Sequence, residues 1–486
     1  MNKPIRNVSI FCLLLFLALM LNATYLQVFA ANDLNERPEN ARVLNAAYSS
    51  ERGAILVGRT PIAESEPVDD KYNYLRTYPS PFLYAPVTGY FTNGSATGIE
   101  AAQNQVLSGD DPRLFIGSLI DLLSNKPPKG GNVQLTLDPA AQKAAFDGLS
   151  ALGDGVQGSV VALEPNTGKI LAMVSLPTFD PNKLATHDFA ARDATYARLN
   201  DDPSQPLLNR AIQTRLFPGS TFKLVTAAAA LESGKYQGAD ARVPGGSSFQ
   251  LPQTSGESGL VTNEGRPCGT SEITLRMAME QSCNTTFAQL AIEVGAEGML
   301  SQAEKFGFNS DYLEDLNGQV RSVFPEELNP PQVGQTGFGQ FDVQATPLQM
   351  AMVAAAIAND GVVMRPYLVD EVQSADYDAQ TTDPEELSRA ISSETARTLR
   401  EVMVSTVDDG TASAAAIPNV SVGGKTGTAQ RGVANKPPYG WFVSFAPQDD
   451  AKVAVAVMIQ EAPGHEIAGG ALGGPIAKAV MEAILK

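Results

Sequence analysis

Apolar strand-like runs lie early and late in the second part of the chain with helical stretches between them, and this spacing limits the fold more than any other feature. Ser159 to Leu163 and Lys169 to Val174 are joined by Glu164-Pro165-Asn166-Thr167-Gly168, whose Pro, Asn and Gly form turns, so the two runs read as an antiparallel hairpin. Trp441 to Phe445 and Val453 to Ile459 come near the end, and Gly474 to Leu485 follows with a helical pattern. Strands contributed from both sides of a helical middle imply an α+β fold, in which one antiparallel sheet is assembled from distant pieces and covered by helices.

The first part of the chain is built from shorter pieces. Arg52-Gly53-Ala54-Ile55-Leu56-Val57 and Tyr84-Ala85-Pro86-Val87-Thr88-Gly89-Tyr90 are broken by Gly and Pro and read as β segments and turns. Asn125-Lys126-Pro127-Pro128-Lys129-Gly130-Gly131 reads as a linker, because its prolines and glycines continue neither a helix nor a sheet interior. Val133 to Asp138 then alternates as a strand, and Pro139 opens a helix through Leu149. At 486 residues the chain accommodates two folded domains, a smaller strand-rich one over residues 32–138 and a larger one over 139–486. The acidic stretch from Asp370 to Glu386 reads as a solvated loop.

Residues 8–31 read as a membrane anchor behind a short cytoplasmic stub, residues 1–7. Ile10 to Leu21 is apolar, and Asn22 to Ala31 adds only Asn22, Thr24 and Gln27 as polar members. Lys3 and Arg6 stand on the short side, which puts that end in the cytoplasm and everything after Ala31 outside. Against this, the strictly apolar stretch is shorter than the ~20 residues a span needs, and Val28-Phe29-Ala30 has the pattern of a signal-peptide cleavage site. Either way the rest of the chain is exported. An oxidising setting permits a disulfide between Cys268 and Cys283, which would stabilise by ~3 kcal/mol in the chain-entropy model. The alternative is a pair of small buried thiols, since spacing alone does not fix connectivity. Cys12 lies in the apolar segment.

Chemistry enters at Ser220-Thr221-Phe222-Lys223, just after Pro218-Gly219 and at the head of the Ala-rich run Leu224 to Leu231. A Ser and a Lys three apart on a helix share one face, so the amine reaches the hydroxyl. Many helices carry such a pair by chance, but two further motifs follow in order. Ser282-Cys283-Asn284 falls in a break between helical stretches, and Lys425-Thr426-Gly427-Thr428 follows Gly423-Gly424 in a strand-like segment. Lys223 at an ordinary pKa of ~10.4 would be protonated and useless as a base. Burial, and a second cation such as Lys425, would favour its neutral form and let it deprotonate Ser220 during attack on a carbonyl. The Ser220 N–H at a helix start and the Thr428 N–H on the strand are expected to face the developing oxyanion. Gly427 lacks a side chain that would block the substrate's approach.

Composition removes competing chemistry. With 53 acidic against 35 basic side chains the net charge is −18, which argues against a nucleic-acid surface. The two histidines, His187 and His465, lie outside the nucleophile motifs, which disfavours a Ser-His-Asp triad. Each is followed by an acid at the adjacent position, and adjacent residues do not converge on a metal, so neither a metal nor a cofactor is expected.

The three motifs in this order resemble those of penicillin-binding proteins and class A β-lactamases. Leu208-Asn209-Arg210-Ala211, Phe217-Pro218-Gly219-Ser220-Thr221-Phe222-Lys223, Gly334-Gln335-Thr336-Gly337, Gln344-Ala345-Thr346-Pro347-Leu348-Gln349-Met350 and Gly424-Lys425-Thr426-Gly427-Thr428-Ala429-Gln430 all look like a class B penicillin-binding protein. Arg52-Gly53-Ala54-Ile55-Leu56 and Gly98-Ile99-Glu100 resemble the actinobacterial penicillin-binding protein A type, so the resemblance covers nearly the whole chain. It implies a penicillin-binding transpeptidase/serine β-lactamase-like fold above a pedestal- or dimerisation-like N-terminal domain. It implies a D,D-transpeptidase that cross-links peptidoglycan stem peptides through a Ser220 acyl-enzyme, is acylated by β-lactam antibiotics, and works beside a membrane-embedded glycan polymerase in cell division or cell shape.

By the same resemblance Ser282 relays a proton between Lys223 and the leaving amine, and the Asn284 amide holds the substrate backbone. Lys425, with the Thr426 and Thr428 hydroxyls, receives the donor's terminal carboxylate. Cys283 departs from the family pattern and links the redox state of that residue to how Asn284 is held. A class A β-lactamase needs a deacylating Glu where Pro325-Glu326-Glu327-Leu328-Asn329 has Pro, so efficient β-lactam hydrolysis is not expected. The N-terminal part is too short and strand-rich for a glycosyltransferase. A D,D-carboxypeptidase, which passes the acyl group to water, and a membrane-tethered division scaffold with a secondary acylation site are the alternatives.

Overall fold

The computed structural model describes residues 3–30, 48–92, 95–111, 129–374, 379–433 and 436–486. Helix α1 (Lys3–Thr24) continues as a π-turn to Phe29, giving 27 residues that are long and apolar enough to cross a membrane, with none of its side chains buried. Its polar members do not interrupt it, because Thr24 Oγ1 donates to Met20 O at 2.9 Å and so satisfies its hydroxyl within the helix.

Two sheets organise the remainder. Their strands are β1 (Ile55–Val57), β2 (Thr60–Pro67), β3 (Tyr74–Thr77), β4 (Asn132–Leu135), β5 (Gln157–Leu163), β6 (Ile170–Leu176), β7 (Val369–Gln373), β8 (Ala379–Thr381), β9 (Gly423–Ala429), β10 (Tyr439–Ala446) and β11 (Val453–Glu461). The helices that pack on them or carry the site are α2 (Pro81–Thr88), α3 (Pro139–Ser150), α4 (Lys223–Glu232), α5 (Leu275–Glu280), α6 (Asn284–Val294), α7 (Pro347–Ala358) and α8 (Gly474–Leu485).

The five-stranded sheet is antiparallel throughout, in the order β9-β10-β11-β5-β6, so the early hairpin and the late strands meet where Val457 lies opposite Val160. Helices cover both faces, which is why β10 and β11 are apolar at nearly every position. Val160, Ala162, Val174, Phe442, Val455 and Val457 pack with α3 and α8, and Val161, Met173, Trp441, Val443, Ala456 and Met458 pack with α4 and α7. Asp138 caps α3 by accepting from Ala141 N at 2.8 Å, with Pro139 at the first position where no N–H is needed.

The second sheet runs β8-β7-β4-β1-β2-β3 and is parallel only between β1 and β4. Its strands β7 and β8 correct the reading of Asp370 to Glu386 as a loop. Val372 lies opposite Val133 on β4, and Val369 and Val372 are buried while Asp370 and Glu371 stay part-exposed. The acids dominate the composition of that stretch, but the two valines carry its burial.

Tyr84 to Thr88 is likewise helix rather than strand. Pro81 sits in the first turn of α2, and Pro86 forfeits one helix bond, yet Tyr84, Ala85, Val87 and Thr88 are buried and α2 packs against β6. Tertiary burial outweighs the local cost. The expected linker is also corrected at its described end, Asn125 to Pro128 lying outside the described residues. Gly130 and Gly131 are buried and donate to Glu51 O and Val106 O, both at 2.9 Å, and a Cβ on Gly130 would stand 1.9 Å from Leu107 O. These glycines serve close packing, not flexibility.

Beside this sheet Glu100 is buried between two arginines. Its Oε2 accepts from Arg52 Nε at 2.7 Å, and its Oε1 accepts from Arg76 Nε at 2.6 Å and from the Tyr78 hydroxyl at 3.2 Å. Burial pushes the carboxyl pKa up, but the Arg76 and Arg52 charges outweigh it and hold Glu100 below the usual carboxylate range.

Candidate active site

Ser220 is presented by a glycine turn at the head of α4. Gly219 has φ 53°, and a Cβ there would lie 2.9 Å from Ala429 Cβ and from Thr428 O, so only glycine both adopts the turn and lets β9 come this close. A 3-10 turn over Gly219–Phe222 leads into α4, whose residues Lys223 to Leu231 are all buried. The turn is tied down on two sides, since Gly219 N–H donates to Gly339 O at 3.0 Å and Trp441 Nε1 donates to Phe217 O at 2.9 Å.

Ser282 occupies the break between α5 and α6 with φ 54°, a left-handed conformation that costs a non-glycine residue roughly 1–3 kcal/mol. The strain presents both its hydroxyl and its carbonyl to Lys223. Cys283, the next residue, forms a disulfide with Cys268, the Cα atoms 5.8 Å apart, which fastens the first turn of α6 to the preceding loop. That loop also holds α6 directly. Asn284 Nδ2 donates to Thr262 O at 3.0 Å, and Thr285 N–H donates to Asn263 Oδ1 at 3.0 Å. Lys425 comes from β9, an edge strand of the five-stranded sheet, and its Nζ lies 2.9 Å from Ser282 Oγ and 3.1 Å from Thr426 O.

Four oxygens surround Lys223. Its Nζ has Ser282 O at 2.7 Å, Asn284 Oδ1 at 2.7 Å, Ser220 Oγ at 2.9 Å and Ser282 Oγ at 3.1 Å. The carbonyl and the amide oxygen only accept, so a neutral amine spends its two N–H bonds on them and keeps its lone pair for a hydroxyl proton. Ser220 and Ser282 are the two hydroxyls in reach.

The electrostatics agree. Burial pushes Lys223 well below the usual lysine range, and the charges of Lys425 and Arg266 push it further. Its position as first residue of α4 adds the positive end of a helix dipole. Burial lowers Lys425 to about 7, again with help from Arg266. Both amines are completely buried, and Ser282 Oγ bridges them.

Ser220, Ser282, Asn284, Thr426 and Thr428 line one cleft of about 400 Å³, with Lys223 and Lys425 behind it. The three motifs therefore converge. Gly427 differs from expectation in its purpose. A Cβ there would meet Trp441 Cβ at 2.9 Å and Pro218 O and Thr221 Cγ2 at 3.0 Å, so it lets β9 close on the Ser220 turn rather than clearing a path for substrate.

Glu264, Arg266, Phe338, Gln340 and Phe341 also line the cleft and were not singled out from sequence. The glycines around Phe338 were the available signal, Gly339 having φ 74° and lying against Gly219. The histidines and the Pro325 to Asn329 stretch stay out of the cleft lining. His187 Nδ1 lies 2.6 Å from Asp70 Oδ2 among Tyr48 and Tyr72, His465 is exposed, and Asn329 caps a short helix. Among the described residues no cluster of His, Cys, Asp and Glu fits a metal ion.

Comparison with known proteins matches residues 158–482 to the penicillin binding protein transpeptidase domain and residues 52–133 to the penicillin binding protein A dimerisation domain. The chain is 43% identical over 493 residues to the peptidoglycan D,D-transpeptidase PbpA of Mycolicibacterium smegmatis, covering 100% of this chain and 99% of that one. It is 41% identical, with the same coverage, to PbpA of Mycobacterium tuberculosis. The structure of penicillin-binding protein A from M. tuberculosis as a ceftriaxone acyl-enzyme superimposes with a TM-score of 0.86 at 40% identity, covering 91% of this chain and 100% of that one. Its imipenem acyl-enzyme gives 0.84 at 39% identity, with coverage of 91% and 100%.

Proposed function

This chain belongs to the penicillin-binding protein transpeptidase family, as a class B member of the PbpA type, and on that premise we propose that it is a peptidoglycan D,D-transpeptidase acting through a Ser220 acyl-enzyme. The observation that carries the reading is the fully buried Lys223 amine, 2.9 Å from Ser220 Oγ.

In acylation, Lys223 takes the Ser220 proton as Oγ attacks the carbonyl of the donor's penultimate residue. Negative charge collects on the carbonyl oxygen, where the N–H groups of Ser220 and Thr428 receive it, the latter on an edge strand whose outer row of N–H groups faces no other strand. As the tetrahedral intermediate collapses, the proton passes from Lys223 through the Ser282 hydroxyl to the departing amine, and the terminal amino acid leaves. An amine of a second stem then attacks the ester, giving up its proton along the same path in reverse, and Ser220 is released. Thr426 and Thr428, with Lys425 behind them, receive the donor carboxylate, and Asn284 orients the acyl half. A β-lactam acylates Ser220 by the same first step.

Helix α1 serves as a single-pass anchor with the catalytic domain, residues 139–486, on the outer side of the membrane and residues 32–138 as its pedestal. A membrane-embedded glycan polymerase is the partner that such an anchored cross-linking enzyme requires for its substrate.

The test uses the full-length chain in detergent micelles with a stem-peptide donor and an added D-amino acid. Transfer to the amine is expected to exceed hydrolysis, and Ser220→Ala is expected to abolish both transfer and covalent labelling by penicillin. Hydrolysis alone would mark a carboxypeptidase, and labelling that survives in Ser220→Ala would remove Ser220 as the nucleophile.

A further inference from the structure

We propose that Arg266 and Glu264 form a subsite for an amino-acid head, an ammonium beside a carboxylate, on the donor-stem side chain upstream of the acylating residue. The inference rests on the transpeptidase reading and deepens it.

Among the side chains lining the cleft, these two alone carry opposite formal charges at its open surface, since Lys223 and Lys425 are buried and engaged with Ser282. Arg266 is anchored by Nε, which donates to Asn263 O at 2.8 Å. One of its Nη atoms stands 3.3 Å from Glu264 Oε2, and the other has no partner among the described residues. The pair is loose and partly exposed, the side chains being 26% and 63% accessible, so exchanging it for a ligand's charges costs little. Its backbone is not loose. Asn263 Nδ2 donates to Gly246 O at 2.7 Å, Glu264 is held at φ 54°, and the Cys268–Cys283 disulfide closes the loop. Charges fixed on such a frame are organised before a ligand arrives.

Direction follows from the chemistry of the cleft. The leaving amino acid carries the terminal carboxylate and belongs against Thr426 and Thr428, so the acyl half of the donor extends the other way, past Asn284. The loop bearing Glu264 and Arg266 is bonded to Asn284 through Thr262 O, which puts the charged pair beside the acyl half. A side chain ending in ammonium and carboxylate complements both members, one ending in ammonium alone satisfies only Glu264, and an amidated head leaves Arg266 unmatched.

Three donor peptides, differing only in whether that side chain ends in a free amino-acid head, the same head amidated, or a simple ammonium, would be compared as acyl donors with the full-length chain in micelles. Wild type is expected to favour the free head over the amidated one by roughly 10- to 100-fold in kcat/KM, the range for one charged hydrogen bond. Arg266→Gln should erase that ratio through KM, and Arg266→Lys should restore part of it. Protection of Ser220 from labelled penicillin by each peptide gives the same ratios from binding alone, should a variant turn over slowly.

An Arg266→Gln variant that slows all three donors equally would overturn the proposal, because Arg266 would then act only through the two lysines. Equal use of all donors by wild type would overturn it while leaving the transpeptidase reading intact. Transfer from none of them, with no protection, would overturn both.

Discussion

Among the buried cations of the described residues, two groups are handled in opposite ways. Arg52 and Arg76 share Glu100, whose oxygens accept from both guanidinium groups at 2.6 and 2.7 Å. Lys223 and Lys425 are buried at least as deeply and share only the uncharged Ser282, the nearest acid in the cleft lining being the exposed Glu264. An arginine cannot shed its proton within a protein; Arg52 and Arg76 are given a counter-charge, whereas the buried Arg210 is met by the carbonyls of Ser204 and Gln205. A lysine denied a counter-charge can become neutral, and a neutral amine beside a serine is a base. The first group therefore stabilises the fold, and the second converts burial into reactivity.

The contrast is broken most severely at Lys223. Replacing it with Met keeps the packing volume but removes the base, and acylation by labelled penicillin should fall by roughly 10²- to 10⁴-fold. Lys223→Arg, which keeps a permanent charge, should fail in the same way. An Arg variant acylating at the wild-type rate would mean that charge, not a lone pair, is what Ser220 needs. At the other cluster, Glu100→Gln leaves two buried guanidinium groups without their counter-charge and should lower unfolding stability by about 3–5 kcal/mol in chemical denaturation. The acylation rate per folded molecule should stay the same, and a matching loss of rate would show that the two clusters are not independent.

The third effect is a slope. Lys425 titrates at about 7 in the folded protein against ~10.4 when unfolded. Between those values the unfolded chain holds a proton that the folded chain does not, so stability should rise with pH across that window and level off below it. The contribution is at most ~1.4 kcal/mol per pH unit for one such group, and Lys425→Met should flatten the curve by that amount. No change of slope in the variant would mean that Lys425 keeps its proton when buried.

Much of this was legible beforehand where local pattern and tertiary demand coincide. The hairpin around Glu164 to Gly168, the helix from Pro139 and the closing helix from Gly474 follow from turn residues, caps and periodicity, and all are found. The spacing of Ser220 and Lys223 already put amine and hydroxyl on one face. Legibility failed where partners are far away in sequence. Tyr84 to Thr88 carries a proline that argues against helix until its burial against β6 is known, and Val369 and Val372 look isolated among acids until β4 supplies a pairing surface. Arg266 was missed for the same reason. A single arginine in a glycine-rich loop carries no pattern, and only folding brings it to the cleft.

The pairing of β7 with β4 has a practical corollary. A recombinant fragment starting after residue 138 would retain Val369–Gln373 but lack the Asn132–Leu135 segment that covers one of its sides. Such a fragment would display bare amide and carbonyl groups along an open margin flanked by valines, an invitation to stick to its own copies. Excising the front portion therefore amounts to unstitching a seam rather than uncoupling a module.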